Sequence, residues 1–263
     1  MIVLKTAPQI DKMRVAGKIL ASVLDRLAEM IAPGITTACL DAEADRMIRE
    51  AGGEATFRGQ PGLTSDAPPY PAATCISINE QVIHGIPSAR VIREGDLVSI
   101  DCGVTWHGFI ADSAVTVAAG RAADRARELM ETTRESLEIA ISLAVPGSRL
   151  HDLSAAIHRH ATLAGFGIVR DYCGHGVGAH LHEDPPIPNY GNPGTGPMLR
   201  PGMTLAVEPM VTLGNPRIRV LGDGWTVITA DHKPAAHFEH TLLVTDGPAE
   251  VLTRRESERA TAV

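Results

Sequence analysis

Apolar residues recur at helical spacing near the start of the chain. Ile10, Met13, Leu20, Leu24, Leu27 and Ile31 fall on one face of a 3.6-residue repeat. The pattern predicts an amphipathic helix over residues 10–31, broken by Pro33-Gly34. A second helix is predicted from Thr37, with Leu40, Ala44, Ile48 and Ala51 on one face. Gly52-Gly53 closes it, as glycines do at helix C-termini. The same plan then returns. Ala126, Met130, Thr133, Leu137 and Ile141 mark a long helix, Pro146-Gly147 breaks it, Leu153, Ile157 and Ala161 mark another, and Gly165 closes that. A shift of 113 positions matches Pro33 to Pro146, Gly34 to Gly147, Leu40 to Leu153, Ala42 to Ala155, Arg46 to Arg159, Ala51 to Ala164 and Gly52 to Gly165. Identities clustered on one helix-turn-helix plan predict an internal duplication. The halves are about 1–120 and 121–263, related by an approximate two-fold axis.

Each half then runs into strands. The first offers 73–78, 96–106 and 109–117; the second offers 168–171, 204–212, 225–229 and 236–244. Gly- and Pro-rich loops lie between them, notably 185–201, and the polar tail from about Glu256 to Val263 is expected to fray. No long linker separates the halves, so 1–263 is read as one catalytic domain. Helices followed by strands imply an α+β fold with a mainly antiparallel sheet.

Composition narrows the class. With 44% hydrophobic and 21% charged residues, the chain is that of an ordinary globular protein. A net charge of −7 gives no basic field of the kind a nucleic-acid partner needs. Cys39, Cys75, Cys102 and Cys173 are widely spaced without a CxxC pair, which argues against a zinc ribbon or a disulfide framework. A reducing compartment, the cytoplasm, follows. There is neither a signal-peptide pattern nor an apolar run of the roughly 20 residues that a membrane span needs.

The chemistry starts at residues 95–112. The segment reads as a hairpin turning at His107-Gly108. With a two- or four-residue loop, position 101 pairs with 114 and 103 with 112, so Asp101 and Asp112 share a face as diagonal neighbours. A three-residue loop would break that parity. Two adjacent carboxylates in a sheet repel and are costly to desolvate. Either they sit at a wet edge or a cation lies between them. Downstream, His175 stands in Cys173-Gly-His-Gly-Val-Gly178, where flanking glycines let the backbone approach a ligand closely. His180, with nothing to frame it, is read as exposed. Glu208 and Glu239 each interrupt an apolar strand without a basic neighbour in the strand core, although Arg200 could fold in. Asp101, Asp112, Glu208 and Glu239 bring four negative charges, which two divalent cations balance. Carboxylates with one imidazole suit Mn²⁺, Fe²⁺, Co²⁺ or Zn²⁺, and paired metals form a hydrolytic clamp around a bridging water.

These residues carry a resemblance. Ser77-Ile-Asn-Glu-Gln-Val-Ile-His84-Gly-Ile-Pro, the Asp101/Asp112 hairpin, Gly174-His-Gly-Val-Gly, Gly202-Met-Thr-Leu-Ala-Val-Glu208-Pro-Met and Phe238-Glu-His240-Thr are similar, in order and spacing, to type I methionine aminopeptidases of the short bacterial form. The resemblance covers nearly the whole chain. It implies the pita-bread fold, two divalent metals (Co, Mn, Fe or Zn) and removal of the N-terminal methionine from newly made proteins. It implies that Asp101, Asp112, His175, Glu208 and Glu239 are the metal ligands, Asp112 and Glu239 bridging. Glu208 would also shuttle a proton, and His84 and His182 would act on substrate beside the scissile bond. Tyr70, Cys75, Leu181 and Trp225 would line the methionine pocket. Thr64, Ala67 and Leu181 stand where Cys, Tyr and Phe are frequent, which leaves the pocket's shape open. Nascent N-terminal peptides are the expected partners, with transient ribosome contact, no membrane, no specific nucleic-acid sequence and a monomeric state.

Two rivals share parts of this pattern. Prolidases and X-Pro aminopeptidases of the same fold usually carry a separate N-terminal domain, and this chain begins with the first catalytic-domain helix. A binding module that kept the fold and lost catalysis would be expected to have lost ligands, and all five are present with both histidines.

Overall fold

The computed structural model describes residues 1–62 and 67–260; the Thr64 expectation lies outside them. Helix α1 spans Ala7–Met30 and α2 spans Thr37–Glu50. The apolar stripe read from the sequence is the buried face of α1, with Met13, Leu20, Leu24 and Leu27 fully buried. Short strands β1 (Glu54–Ala55), β2 (Thr74–Ile78) and β3 (Gln81–Ile83) follow. The hairpin strands β4 (Leu97–Trp106) and β5 (Phe109–Ala118) come next. The second half opens with α3 (Asp124–Leu143) and α4 (Leu150–Leu163). It continues through β6 (Gly167–Ile168), β7 (Gly174–Gly176), β8 (Glu183–Ile187), β9 (Thr204–Val207) and β10 (Met210–Thr212). The last elements are β11 (Ile218–Val220), β12 (Val227–Thr229), β13 (Ala235–His237), β14 (His240–Leu243), β15 (Glu250–Val251) and α5 (Glu256–Ala260).

The duplication is visible element by element. Adding 113 to both ends of α2 gives both ends of α4, and the same shift carries β1 onto β6. Isolated bridges recur at matching places, Thr36 with Val91 and Arg149 with Met198. Gly34 and Gly147, and Gly52 and Gly165, all adopt positive φ, which glycine tolerates without steric cost. Among the described residues every strand pairing is antiparallel. The helices of both halves pack with the sheets into a common core that includes Leu24, Ile48, Ile100, Leu137, Ile157 and Leu205. This is the pita-bread α+β architecture.

Three expectations need correction. The strands expected at 204–212 and 236–244 are each cut in two, at Glu208-Pro209 and at Phe238-Glu239. Strand β9 pairs with β14 in one sheet while β10 pairs with β13 in another. Pro209 lacks the N–H that a continuous ladder needs, and both glutamates sit at the breaks. Part of the expected 185–201 loop belongs to β8. Finally, the tail is ordered through α5: Asp25 accepts hydrogen bonds from the Glu256 N–H, at 2.9 Å, and from the Ser257 hydroxyl, at 2.6 Å. A distant aspartate at a helix N-terminus was invisible to a local reading of polar composition. Residues 261–263 lie outside the described part.

Candidate metal centre

The hairpin turns through His107 and Gly108, both at positive φ, the signature of a tight two-residue connection. Asp101 therefore pairs with Ala114, and Gly103 with Asp112. The two aspartates are diagonal on one face, as the parity argument required. They are no wet edge: Asp101 is 9% and Asp112 4% exposed.

The second half is bolted onto this hairpin by main-chain and hydroxyl bonds. The Glu239 N–H donates to the Ala114 carbonyl at 2.9 Å. Ser113 donates to the Glu239 carbonyl at 2.6 Å, and Thr241 and Asp112 exchange two bonds at 2.8 and 2.9 Å. Glu239 is thereby held opposite Ala114, with its carboxylate beside that of Asp112. His175 lies on β7, and its Nδ1–H donates to the Gly176 carbonyl at 2.9 Å. That leaves the Nε2 lone pair facing the cavity, the arrangement a metal-binding imidazole needs. The glycines around His175 serve the sheet rather than a ligand. A Cβ on Gly174 would lie 2.3 Å from the Ala206 carbonyl oxygen, and one on Gly176 2.1 Å from that of Asp184.

Five side chains expected to act together do converge. Asp112, His175 and Glu239 offer ligand atoms all within 4.8 Å of one another. Glu208 Oε1 is 3.6 Å from His175 Nε2. Asp101 stands outside that trio but lines the same cavity. The charged partners expected of ordinary buried glutamates are missing: among the described residues, the ion-pair neighbours of Glu208 and Glu239 are histidines, and Arg200 remains exposed. Asp101 Oδ1, Asp112 Oδ1 and Glu239 Oε1 are buried oxygens without a hydrogen-bond partner among the described residues. Burial pushes the Asp112 carboxyl up to about 7. Burial and then the charge of Asp112 raise Asp101. Glu208 and Glu239 are raised by burial and by their acidic neighbours. Orphaned carboxylate oxygens are costly, and a divalent ion is the group that would satisfy all of them at once. The donor set fits one.

The remaining expected residues line the same cavity of roughly 230 Å³. His84 has φ 58°, and a Cβ on the next residue, Gly85, would lie 2.3 Å from the Ile76 carbonyl oxygen. The chain is thus turned sharply to aim the imidazole inward. Burial pushes His84 down to about 4, so the ring is neutral. His182 sits at the exposed rim, its ring edge-on to His175 at 4.5 Å. Across the cavity, Tyr70 and Trp225 meet edge to face at 5.0 Å, with Cys75 and Leu181 beside them in one apolar cluster. Ala67 packs on Gly62 and Gly224 rather than lining the cavity. His180 is exposed, as read. The sequence reading missed Phe57, Gln60, Pro61, Ile83, Tyr172 and Cys173 in the lining, and it missed His237, whose Nε2 lies 3.6 Å from Glu208 Oε2. A histidine two residues before Glu239 in a period-two strand was the available signal.

A buried, cation-demanding cluster of carboxylates and imidazole in a duplicated α+β fold defines a metal-dependent hydrolase. The chain belongs to metallopeptidase family M24, whose model matches residues 11–246. It is 46% identical to a methionine aminopeptidase of Clostridium perfringens over 96% of this chain and 99% of that one. Its structure is similar to that of a methionine aminopeptidase from Thermotoga maritima, with a TM-score of 0.93, 46% identity, and coverage of 97% of this chain and 100% of that one. A prolidase from Pyrococcus horikoshii shares the fold at 23% identity and a TM-score of 0.77, with 97% of this chain covering 65% of that one. Membership of the family carries divalent-metal binding with it.

Proposed function

We propose that the protein releases free methionine from the N-terminus of newly made polypeptides, using two divalent ions held by Asp101, Asp112, His175, Glu208 and Glu239. The observation that carries this reading is the cavity's division. One end presents unpartnered buried carboxylate oxygens, and the other presents an apolar wall of Tyr70, Cys75, Leu181 and Trp225. Four carboxylates match the charge of two divalent ions. When bound, such ions acidify water and polarise a carbonyl. Because the ligands come from both halves of the chain, we read 1–263 as one catalytic unit.

The protein's own groups supply the rest. Substrate enters with its free amine and scissile carbonyl toward the acidic end. Glu208 takes the proton of the attacking water on Oε1, the oxygen on the His175 side, as the water oxygen bonds to the scissile carbonyl carbon, and returns it to the amine that departs when the C–N bond breaks. A carboxylate within reach of both the water and the leaving amine can make both transfers. His84, buried and neutral, and His182, at the rim, orient the peptide carbonyl and donate to the oxygen that gains charge. Tyr70 spends its hydroxyl on the Thr74 and Gly85 carbonyls, at 3.0 and 3.1 Å, and Trp225 spends its N–H on the Pro68 carbonyl at 2.8 Å. Their ring surfaces are therefore what remain for the substrate. A thioether suits a wall of aromatic edges and a buried thiol. Among the described residues no helix is long and apolar enough to cross a membrane. The reading places the protein in the cytoplasm as a monomer meeting nascent chains at the ribosome.

The test is an assay of metal-free protein on Met-Gly-type and Pro-containing peptides during titration with Mn²⁺, Co²⁺, Fe²⁺ or Zn²⁺. Methionine release that appears only with metal is expected. Folded protein that releases none with any of the four refutes the reading and favours a binding module.

A further inference from the structure

His237 is buried against the proposed ligands without being counted among them. It is 1% exposed, and among the described residues neither ring nitrogen has a hydrogen-bond partner. Its backbone is fixed: the His237 N–H donates to Thr116 Oγ1 at 2.9 Å, and the Thr116 hydroxyl donates to the His237 carbonyl at 2.8 Å. The ring cannot move far to find a partner. Its Nε2 lies 3.6 Å from Glu208 Oε2 and 4.0 Å from Glu239 Oε2. The oxygens of Glu208 are thus divided, Oε1 toward His175 and Oε2 toward His237, each at 3.6 Å.

We propose that His237 is a positioning residue for Glu208, its Nε2–H donating to Oε2 so that Oε1 is presented to the metal and to the migrating proton. The inference rests on the metal reading above. A buried neutral imidazole has one N–H, and buried N–H groups are almost always paired. The acidic groups within 4.0 Å of Nε2, Glu208 and Glu239, present carboxylate oxygens, which accept and do not donate, so a lone pair on Nε2 would be repelled by both. The tautomer argument separates this ring from His175. There the Nδ1–H is bonded to a carbonyl and Nε2 is free to ligate; in His237, among the described residues, Nδ1 has no acceptor to hold a proton on it. A charge-assisted bond of this kind settles at about 2.7–2.9 Å. Rotation of the Glu208 carboxylate closes the gap. Glu208, His237 and Glu239 could alternatively form a three-ligand site of their own, since their atoms lie within 4.8 Å of one another, and the variants below separate the two roles.

A glutamine carries its amide N–H₂ about as far from Cα as the ring Nε2, whereas an asparagine reaches only as far as Nδ1. The experiment titrates metal-free wild type, His237→Gln, His237→Asn and His237→Ala with Mn²⁺ by calorimetry and records the melting temperature of each metal-free form. Loss of a group that orients a ligand typically weakens metal binding by about 10–100-fold. That loss is expected for Ala and Asn, with Gln recovering most of it while the metal-free Gln and Asn forms melt alike. Equal affinity in wild type and Ala overturns the proposal, and so does a Gln variant no tighter than Asn, the result expected if the ring itself ligates. Wild type that binds no Mn²⁺ overturns the metal reading and this inference with it; wild type that binds while all three variants match it overturns the inference alone.

Discussion

The two ends of the cavity obey opposite rules. At the apolar end the polar atoms of the aromatic wall are satisfied: the Tyr70 hydroxyl and the Trp225 N–H both end on backbone carbonyls, and the rings brace each other. At the acidic end Asp101, Asp112 and Glu239 each keep a buried oxygen unpartnered, and their charges oppose one another. Local consistency is what natural sequences show where stability is selected, and it fails where function is. One end is therefore complete as folded, and the other is complete only with a counter-ion.

The sharpest way to break that contrast is Asp112→Asn. The amide keeps the shape and removes one charge from a repelling set. Metal binding to water lowers its pKa from 15.7 to about 7, on the order of 12 kcal/mol at ~1.36 per unit. If Asp112 holds the metal as proposed, its loss as a ligand is expected to lower methionine release by more than about 10³-fold. The metal-free protein should nevertheless melt at the same or a higher temperature than wild type, because replacing buried repelling charge is often neutral or stabilising. A variant that is inactive and also strongly destabilised without metal would show that the acidic end is not frustrated at all.

A smaller effect should appear in the pH dependence of the metal-free fold. The Asp112 carboxyl is pushed up to about 7 by burial, so between about 4 and 7 the folded state holds a proton that the unfolded chain, near the usual ~3.9, has released. That contribution lowers stability as pH rises. Burial, followed by the charge of a neighbouring histidine, pushes His175 and His84 down to about 4 and His237 to about 3. In the unfolded chain they titrate near ~6.5, so over about 4 to 6.5 they raise stability as pH rises. The two trends oppose each other around pH 6.5, and the carboxylates dominate increasingly above it as the histidine contribution fades. The metal-free melting temperature should therefore fall from pH 6.5 to 8. Bound Mn²⁺ should flatten the fall, adding about 2.7 kcal/mol at 100 times its Kd. Parallel profiles with and without metal would mean that the acidic end does not bind the ion.

What could be read from the sequence follows the same division. Period-two parity placed Asp101 and Asp112 on one face because hairpin geometry is local, and the 113-residue shift exposed the duplication because helix punctuation is local too. Glu208 and Glu239 stood out as charges in apolar surroundings. The strand breaks at both glutamates did not, since they arise where two sheets part company around the site. His237 escaped because its burial depends on Thr116, far away in the first half. The pocket wall needed the resemblance: Tyr70, Cys75, Leu181 and Trp225 are ordinary core residues by pattern, and Tyr172 and Cys173 reach the cavity through loop conformation that no periodicity encodes.

The smallest expected effect tests the completed end. Trp225→Phe keeps an aromatic ring against Tyr70 but removes the N–H bonded to the Pro68 carbonyl. Pro68 is exposed, so water can take over that carbonyl. The lost bond should then cost only about 0.5–1.5 kcal/mol of stability, a drop of a few degrees in the melting temperature. Selectivity should change more visibly than stability. A pocket distinguishes apolar side chains by contacts worth about 1–3 kcal/mol, and the smaller ring leaves room that branched leucine can use better than unbranched methionine. The ratio of kcat/KM for Met- over Leu-peptides is expected to fall by roughly 10-fold, with metal affinity unchanged because the ring touches none of the carboxylates through a hydrogen bond. An unchanged ratio would return Trp225 to the core, and a weakened metal affinity would show that the two ends of the cavity are not independent.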